Sequence, residues 1–206
     1  MNFKRMIAAV TTSKTRPSTH AGRNSVRIIG GAWRGRRVPF PDLPALRPTP
    51  DRIRETLFNW LQHSIVDTRC LDLFAGSGAL GLEALSRGAR AAVFVEQAPE
   101  AAASLREQLA RLGAAVRAEV HGMDAERFLA GSPTPFDLVF LDPPFGRSAL
   151  PHILPILDAG GWVAPGGHVY LESERAAGAP VLPAHWTLLK SKFAGEVGYH
   201  LARRER

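Results

Sequence analysis

The chain has 206 residues, of which 45% are hydrophobic and 22% charged, and its formal net charge is +7. These values are typical of a globular protein, and no stretch approaches the roughly 20 apolar residues of a membrane span. Cys70 is the only cysteine, which excludes a disulfide framework and favours a reducing compartment such as the cytoplasm. The histidines show no metal-ligand spacing with acids, so the sequence predicts no metal site.

The positive charge is concentrated in the first 50 residues, which contain ten basic residues and one acid, Asp42. That segment carries +9, so the other 156 residues together carry −2. A cationic segment beside a nearly neutral domain is typical of a nucleic-acid-binding protein. Residues 1–25 are predicted to be a disordered basic tail, for which a flexible cationic arm is favoured over an organellar transit peptide.

Residues 26–48 are predicted to form a small RNA-binding hairpin and a linker. Val26 to Ile29 and Arg36 to Phe40 have the character of two short strands, joined by a turn that contains Gly30 and Gly31. Trp33 lies among glycines and arginines with no evident core to enter, so we expect it to stack on a base or a sugar. The residues expected to contact phosphates are Arg27, Arg34, Arg36, Arg37, Arg47 and Arg52.

From residue 49 onward, strands and helices alternate. Thr49 is predicted to cap a helix whose apolar residues recur with helical spacing. Strands are expected at Cys70 to Phe74, Ala91 to Val95, Ala115 to Val120, Phe136 to Leu141 and His168 to Leu171, with helices near 79–88, 98–112, 125–130 and 148–159. Thr187 to Phe193 and Glu196 to Leu201 indicate a final antiparallel hairpin. This order predicts an α/β fold, a mostly parallel sheet covered by helices, with ligands at the carboxyl ends of its strands.

A glycine-rich turn follows the first strand of that sheet, in the segment from Asp72 to Gly78. Together with Gly81 it has a GxGxxG spacing, which is compatible with a nicotinamide or flavin cofactor. Glu96 ends the next strand, where a carboxylate can accept hydrogen bonds from both hydroxyls of a ribose. Asp72 precedes the glycines, where it would repel a pyrophosphate and attract an ammonium or sulfonium group. The motif therefore indicates an adenosine-type ligand other than a dinucleotide.

Asp124 follows the third strand, and two roles are open to it. Its carboxylate can accept from the exocyclic amine of an adenine, or it can cap the short helix that comes next.

The most informative segment is Asp142-Pro143-Pro144-Phe145, directly after an apolar strand. Proline fixes φ at about −65° and has no N–H, which holds the backbone extended with its carbonyls free to accept. Asp142 adds a charged acceptor and Phe145 a stacking surface, a combination that suits a planar amine. A simple Pro-rich turn is the alternative, but the acids at the preceding strand ends favour the amine site.

In this order, the motifs resemble those of class I S-adenosylmethionine-dependent methyltransferases that act on exocyclic amines. More narrowly, Arg27 to Gly31, Trp33 to Arg36, Arg47 to Thr49 and Asp51 to Leu61 resemble the bacterial 16S rRNA guanine-N2 methyltransferases. The resemblance begins near residue 26, and residues 1–25 match nothing in it. It implies a Rossmann-like sheet of seven strands and methylation of one guanine in 16S rRNA.

The resemblance also implies residue roles and partners. The target-amine site would comprise Asp142, Pro143, Pro144 and Phe145. The S-adenosylmethionine site would comprise Asp72, Phe74, Gly76, Gly78, Glu96, Asp124 and Ala125. Residues 49–206 would form the methyltransferase domain of a cytoplasmic enzyme, expected to be a monomer that contacts no membrane. Its partner would be 16S rRNA or a small-subunit assembly intermediate.

Three other functions remain open at this point. An adenine-N6 methyltransferase acting on DNA or RNA shares most of the architecture, but such enzymes usually have Tyr or Trp where this chain has Phe145. A dinucleotide-dependent oxidoreductase would need the glycine spacing without Asp72 and Asp142. A non-catalytic RNA-binding assembly factor would keep the arginines and could lose the donor pocket.

Overall fold

The computed structural model describes residues 24–44, 46–144 and 149–205. The strands are β1 Ser25–Arg27, β2 Arg37–Pro39, β3 Arg69–Asp72, β4 Ala91–Val95, β5 Ala118–His121, β6 Phe136–Leu141, β7 Val163–Glu174, β8 Trp186–Ala194 and β9 Val197–Arg204. The helices are α1 Asp51–Trp60, α2 Ala79–Ser86, α3 Pro99–Arg111, α4 Ala125–Leu129 and α5 Ala149–Ala159.

The central sheet has seven strands in the order β5-β4-β3-β6-β7-β9-β8. Strands β3 to β7 pair in parallel, whereas β9 is antiparallel to both β7 and β8. The predicted α/β fold, with its mostly parallel sheet and antiparallel C-terminal hairpin, is confirmed. Strand β9 is the inner strand of that hairpin, so β8 forms one edge of the sheet and β5 forms the other.

The sheet is covered on both faces because its strands alternate between two apolar layers. Phe94 and Phe140 belong to the layer that includes α1, α2 and α3. Val95 and Leu141 belong to the layer that includes α4 and α5. Phe58 of α1 packs against Phe140, with ring centroids 6.1 Å apart. With both faces covered, the carboxyl ends of the parallel strands are the natural place for a polar site.

Several strand bounds differ from the predicted ones, and β5 and β7 are two of these strands. Strand β5 begins at Ala118 rather than Ala115, because residues 115–117 form a 3₁₀ turn. Strand β7 is longer than predicted and covers Val163–Glu174. In the part of the chain that the structure describes, no helix combines the length and apolar character that crossing a membrane requires.

The start of α1 also differs from the prediction. The helix begins at Asp51, and Pro50 occupies the cap position without a side-chain hydrogen bond. Thr49 does not cap the helix; its hydroxyl donates to Asp142 at 3.1 Å. The prediction was wrong because helical spacing is local, whereas this partner lies 93 residues further along the chain.

The N-terminal hairpin forms as predicted, with β1 antiparallel to β2. It begins earlier than the predicted end of the tail, since Ser25 lies in β1 and the Asn24 amide donates to Asp42 at 2.9 Å. The rest of the predicted disordered tail, residues 1–23, lies outside the described residues. Residues 24 and 25 therefore belong to the folded hairpin.

Trp33 corrects the sequence analysis, because its side chain is buried in the core with 7% of its surface exposed. Its backbone N–H donates to Ser86 of α2 at 2.9 Å. Gly31, with φ of 75°, allows this close approach, since a Cβ there would lie 1.9 Å from the Ser86 carbonyl oxygen. The expectation that Trp33 stacks on a base was wrong, because the core that receives it comes from a helix more than 40 residues later in the chain.

Candidate active site

Four acids lie where the parallel strands β3 to β6 end. Asp72 ends β3, Glu96 follows β4, Asp124 follows β5 and Asp142 follows β6. Because neighbouring parallel strands end at the same edge of a sheet, their carboxyl groups meet there. Asp72 is close enough to Asp142 and Glu96 for their charges to raise its pKa. The structure thus brings together three of the four acids predicted for the site.

The glycine turn after β3 is held by Glu96. The Glu96 carboxylate accepts from the Gly76 N–H at 2.8 Å and from the Ala98 N–H at 2.7 Å. Gly76 and Gly78 have φ of 53° and 76°, a conformation that side chains rarely adopt. A Cβ on Gly78 would lie 2.5 Å from the Leu105 side chain. The turn is therefore shaped by packing and by Glu96, which leaves the backbone open to a ligand.

Asp72 is buried beneath this turn. Its carboxylate accepts from the Gly81 N–H in the first turn of α2 at 3.0 Å. Burial raises the pKa of Asp72 to about 7, and the negative charges of Asp142 and Glu96 act in the same direction. Gly81 is needed because a Cβ there would lie 2.2 Å from the Phe94 ring. When burial raises the pKa of an acid in this way, a cation placed beside the acid stabilises its ionised form.

Asp124 is exposed and caps α4, since its carboxylate accepts from the Arg127 N–H at 2.8 Å. Capping, one of the two roles left open by the sequence, is therefore observed. Ala125, the next residue of the predicted donor site, is buried in the first turn of α4. Phe74, at the start of the glycine turn, is partly buried against the layer that includes α4.

Asp142 follows β6 and is half-buried. Its carboxylate accepts from the Thr49 hydroxyl at 3.1 Å. Burial raises the pKa of Asp142 to about 6, against which the Thr49 hydrogen bond acts. Of the two prolines that follow, Pro143 is buried and Pro144 is exposed. Phe145, the predicted stacking residue, lies outside the described residues.

Sequence reasoning missed two residues beside Asp142. Glu172 and Tyr170 lie on β7, the strand next to β6, and both side chains are buried. The Tyr170 hydroxyl donates to the Glu172 carboxyl at 2.8 Å. Burial raises the pKa of Glu172, and the Asp142 charge acts in the same direction. The signal that could have identified Glu172 was an acid directly after the predicted apolar strand His168 to Leu171.

We call Asp72, Glu96, Asp142 and Glu172 the acid cluster. Among the described residues, none of the four forms an ion pair with a lysine, arginine or histidine. Buried acids are ordinarily paired with a cation or kept neutral. The cluster therefore fits a ligand that brings hydroxyl groups and a positive charge, as a sulfonium nucleoside does. No group of three or more metal-ligating side chains occurs in the described ranges.

Another buried acid, Glu83 of α2, holds the N-terminal hairpin. Its carboxylate accepts from the backbone N–H groups of Ile29 and Gly30 at 2.8 and 2.7 Å. It also forms ion pairs with Arg54 at 3.4 Å and with Arg87 at 2.7 Å. We call these five residues the N-terminal clamp. The sequence signal was the one charged residue in the otherwise apolar and small-residue helix α2.

Arg54 connects the N-terminal clamp to the acid cluster. Its guanidinium is 1% exposed and donates to the carbonyl oxygens of Thr49 at 3.1 Å and Arg27 at 2.8 Å. It also pairs with Asp51 at 2.6 Å. Because Thr49 in turn contacts Asp142, the hairpin and the predicted amine site share one hydrogen-bonded connection. Sequence analysis missed Arg54, although an arginine between Ile53 and Leu57 on a buried helix face was visible.

Arg27 forms an ion pair with Asp51 at 3.2 Å. All the arginines predicted to bind RNA have exposed side chains, and they are Arg27, Arg34, Arg36, Arg37, Arg47 and Arg52. Their exposure leaves them available to phosphates, and their contact with RNA stays a prediction.

The strand order, the glycine turn after β3 and the acids at the strand ends define the class I methyltransferase fold. The family model described as Conserved hypothetical protein 95 matches residues 26–203. The chain belongs to this family.

Relatives and solved structures agree with this assignment. The Ribosomal RNA small subunit methyltransferase D of Escherichia coli (strain K12) is 51% identical over 186 residues, which cover 90% of this chain and 93% of that protein. The protein of the same name from Haemophilus influenzae is 42% identical over 186 residues, which cover 89% of this chain and 96% of that protein. The structure of the putative methyltransferase yhhF from Escherichia coli matches with a TM-score of 0.83 and 49% identity, covering 88% of this chain and 99% of that chain.

These findings confirm the predicted family, the enzyme class and the methyl donor, S-adenosylmethionine. The fold is also shared with SMU.776, a putative methyltransferase complexed with SAH, at a TM-score of 0.61 and 16% identity, over 74% of this chain and 48% of that chain. The oxidoreductase and the non-catalytic assembly factor are thereby set aside.

Proposed function

We propose that this protein methylates the exocyclic N2 amine of one guanine in 16S rRNA, during assembly of the small subunit. The protein is an S-adenosylmethionine-dependent rRNA methyltransferase, as its family and its relatives at 42% and 51% identity indicate. The observation that carries the amine target is the half-buried Asp142, held by Thr49 and followed by two prolines. A cytoplasmic location and a monomeric state stay predictions.

The methyl donor fits the acid cluster and the glycine turn. We assign to its site Asp72, Phe74, Gly76, Gly78, Glu96, Asp124 and Ala125. When bound, the donor supplies an electrophilic methyl group on a positively charged sulfur. Glu96 would accept hydrogen bonds from the ribose hydroxyls, and the negative charge of Asp72 and Asp142 would favour a cation beside them.

The amine needs help because its lone pair is delocalised into the guanine ring. We assign the activation of the amine to the Asp142 carboxylate and the Pro143 carbonyl. These two groups would accept hydrogen bonds from the two N–H groups of the amine and hold them out of the ring plane. Phe145 would stack on the base. Holding a reactant in such a geometry contributes about 7 to 11 kcal/mol in favourable cases.

Asp142 would also take up the proton that the reaction releases. As the new N–C bond forms and the S–C bond breaks, the nitrogen becomes cationic and must lose one of its protons. Asp142 can accept it, because a carboxyl group with a pKa of about 6 is ionised at neutral pH and is a better base than an ordinary aspartate. The proton then passes to solvent when the product leaves.

The exposed arginines would bind the phosphates around the target. Arg47 and Arg52 are two and three residues from Thr49, whose hydroxyl contacts Asp142, so both lie near the entrance to the amine site. Arg34, Arg36 and Arg37 would extend the phosphate-binding surface formed by Arg47 and Arg52 onto the hairpin. A base inside a duplex cannot reach Asp142, so the guanine must be single-stranded, looped or flipped out.

The target is tested by its product. Undermethylated small-subunit particles are incubated with radiolabelled S-adenosylmethionine, and the rRNA is digested for nucleoside mass analysis. We expect N2-methylguanosine at one position. N6-methyladenosine as the product would instead establish the adenine-N6 alternative.

The role of Asp142 is tested by Asp142→Ala in the same assay. We expect turnover to fall on the order of 10²–10³-fold, as when one preorganised polar group is removed from an active site. The affinity for S-adenosylhomocysteine, measured by calorimetry, should change little. Glu107→Ala, which removes an exposed carboxylate of α3, is the control and should retain full turnover. Near-normal methyl transfer by Asp142→Ala would exclude Asp142 from the reaction.

The role of Glu96 is tested by Glu96→Ala. We expect the dissociation constant of S-adenosylhomocysteine to rise about tenfold or more, because the ribose loses an acceptor and the Gly76 N–H loses its partner. An unchanged dissociation constant in calorimetry would contradict the ribose assignment.

A further inference from the structure

Thr49 carries a buried hydroxyl group to which the proposed reaction gives no task. The residue is 6% exposed, and its Oγ1 donates to Oδ2 of Asp142 at 3.1 Å. Among the described residues, no other donor contacts the Asp142 carboxylate. The hydrogen bond occupies one oxygen of the carboxylate, so the second oxygen, Oδ1, is left to the substrate amine.

The backbone of Thr49 is restricted on both sides. Pro48 and Pro50 flank it, and a proline fixes its own φ and holds the residue before it in an extended conformation. The Thr49 carbonyl oxygen accepts from Nε of Arg54 at 3.1 Å. Because threonine is branched at Cβ, few rotamers are open to its side chain once the backbone is fixed. The hydroxyl group is therefore held at one place beside Asp142.

Arg54, which holds the Thr49 carbonyl, is itself fixed by several partners. Its guanidinium is 1% exposed and forms ion pairs with Asp51 at 2.6 Å and Glu83 at 3.4 Å. It also donates to the carbonyl oxygen of Arg27 at 2.8 Å. A planar guanidinium with all these partners has little freedom to move. The position of Thr49 is thus anchored in the N-terminal clamp.

The hydrogen bond has two consequences for Asp142. It fixes the rotation of the carboxylate, and a displacement of about 1 Å in a catalytic group can cost about 100-fold in rate. It also favours the charged form of the carboxylate, since a hydrogen bond donated to an anion is stronger than one donated to a neutral group. The proposed amine acceptor needs both the orientation and the charge.

We propose that Thr49 is a positioning residue for methyl transfer: its hydroxyl group fixes the orientation of the Asp142 carboxylate and favours its charged form. The inference rests on the proposed role of Asp142 as the acceptor of the amine protons. Thr49 itself exchanges no proton with the amine. Through Arg54, the N-terminal clamp supports the amine site without supplying a group to the chemistry.

The ionisation of Asp142 gives this role a second readout. Burial raises the pKa of Asp142 to about 6, and the Thr49 hydrogen bond acts in the opposite direction. Loss of the Thr49 hydroxyl group would therefore raise this pKa further, and less Asp142 would be ionised at a given pH. The other charged and titratable groups around Asp142, in the ranges that the structure describes, are Asp72 of β3, Tyr170 and Glu172 of β7 and, through the Thr49 carbonyl, Arg54 of α1.

The test compares Thr49→Val with Thr49→Ser. Valine has nearly the shape of threonine but no hydroxyl group, whereas serine keeps the hydroxyl group. The matched control is Thr56→Val, because the Thr56 hydroxyl donates within α1, to the Arg52 carbonyl at 3.0 Å. Turnover at saturating S-adenosylmethionine is measured on undermethylated small-subunit particles between about pH 5 and pH 9. Binding of S-adenosylhomocysteine and thermal unfolding are measured for each variant.

We expect Thr49→Val to lose about tenfold or more in turnover at pH 7, because a hydrogen bond to a charged group is lost. Its turnover should also begin to fall at a higher pH on the acid side, while its affinity for S-adenosylhomocysteine is retained. Thr49→Ser should stay within about threefold of the unmodified protein, with the same pH profile. Thr56→Val should keep both the turnover and the pH profile.

A double change separates positioning from a structural role. When Asp142→Ala is already present, Thr49→Val should lower the remaining turnover by less than about twofold, because the group that Thr49 positions is absent. A structural role of Thr49 would lower turnover by the same factor whether or not Asp142 is present.

Four results would overturn the proposal. Normal turnover of Thr49→Val would exclude Thr49 from the reaction. Equal losses in Thr49→Ser and Thr49→Val would assign the effect to the methyl group of Thr49. An unchanged pH profile of Thr49→Val would show that the hydroxyl group does not act on the charge of Asp142. Equal losses with and without Asp142 would place the effect of Thr49 elsewhere. Failure of the proposed function is seen separately, in the identity of the methylated nucleoside and in the turnover of Asp142→Ala.

Discussion

Two regions of the molecule bury a glutamate, and their surroundings differ. In the N-terminal clamp, Glu83 is 0% exposed and is met by Arg54, Arg87 and two backbone N–H groups. In the acid cluster, Glu172 is 3% exposed, accepts from the Tyr170 hydroxyl group and lies near Asp142. The clamp neutralises its charge within the fold. Among the described residues the acid cluster has no cationic partner, which fits the donor site that we propose.

The comparison also explains how the hairpin relates to the chemistry. Arg54 belongs to the clamp and contacts the Thr49 carbonyl, while the Thr49 hydroxyl contacts Asp142. The proposed RNA-binding surface is therefore attached to the same residues that hold the proposed amine acceptor. Breaking the clamp should disturb the whole fold, whereas changes in the acid cluster should alter chemistry more than stability.

The largest effect on stability is expected from Glu83→Leu. This change leaves two buried or half-buried guanidinium groups and two N–H groups without their acceptor. Removing one partner of a buried ion pair costs about 3 to 5 kcal/mol, and we expect a loss of that size in the free energy of unfolding. Urea unfolding followed by circular dichroism measures it.

The matched control is Glu172→Leu, which also replaces a buried glutamate by leucine but removes no ion pair. Its loss should be less than half that of Glu83→Leu at pH 7. Equal losses for the two variants would contradict the distinction between the clamp and the acid cluster.

A smaller effect, on binding alone, is expected from the triple change of Arg34, Arg36 and Arg37 to alanine. These exposed side chains contribute little to stability, so the free energy of unfolding should stay within about 0.5 kcal/mol. The slope of log Kd against log salt for a 16S rRNA fragment should become shallower by about 2, because three phosphate contacts release fewer counterions. Fluorescence anisotropy at several salt concentrations measures the slope.

The control for this experiment is a second triple change to alanine outside the hairpin, at Arg90, Arg106 and Arg111, which are also exposed. It removes the same net charge and should leave the slope nearly unchanged. The same change of slope in both variants would show that the hairpin surface has no special role.

A pH dependence of stability is also expected from the acid cluster. The folded state raises the pKa of Asp72 from 3.8 to about 7, so the folded protein keeps this proton at a pH where the unfolded chain has lost it. The stability that this retained proton gives the folded state is present in full below about pH 4. It is lost as the pH rises to about 7. We expect Tm to fall across this range, and Asp72→Asn to make the fall shallower. A Tm curve that Asp72→Asn leaves unaltered would show that Asp72 does not titrate in this way.

The outline of the site was predictable from local features of the sequence. Alternating strands and helices placed Asp72, Glu96 and Asp142 at neighbouring strand ends, since every parallel strand of such a sheet ends at the same edge. The glycines that follow β3 were recognised because their spacing and the close approach of backbone to ligand are properties of a short segment.

The remainder of the site could not be predicted, because it depends on contacts between distant parts of the chain. Trp33 was expected at the surface, but α2 supplies Ser86, 53 residues later, as its partner. Thr49 was expected to cap α1, and Asp142 is the group that it contacts. The spacing of nearby residues contains no information on either partner.

The sequence by itself determined the type of sheet, the glycine turn and the acids that follow the strands, because strand period and turn chemistry are decided within a few residues. Only the tertiary structure decided which buried charge is neutralised and which is not. Whether a glutamate meets two arginines, as Glu83 does, or a tyrosine hydroxyl group, as Glu172 does, depends on which elements pack around it. That packing is what separates the N-terminal clamp from the acid cluster.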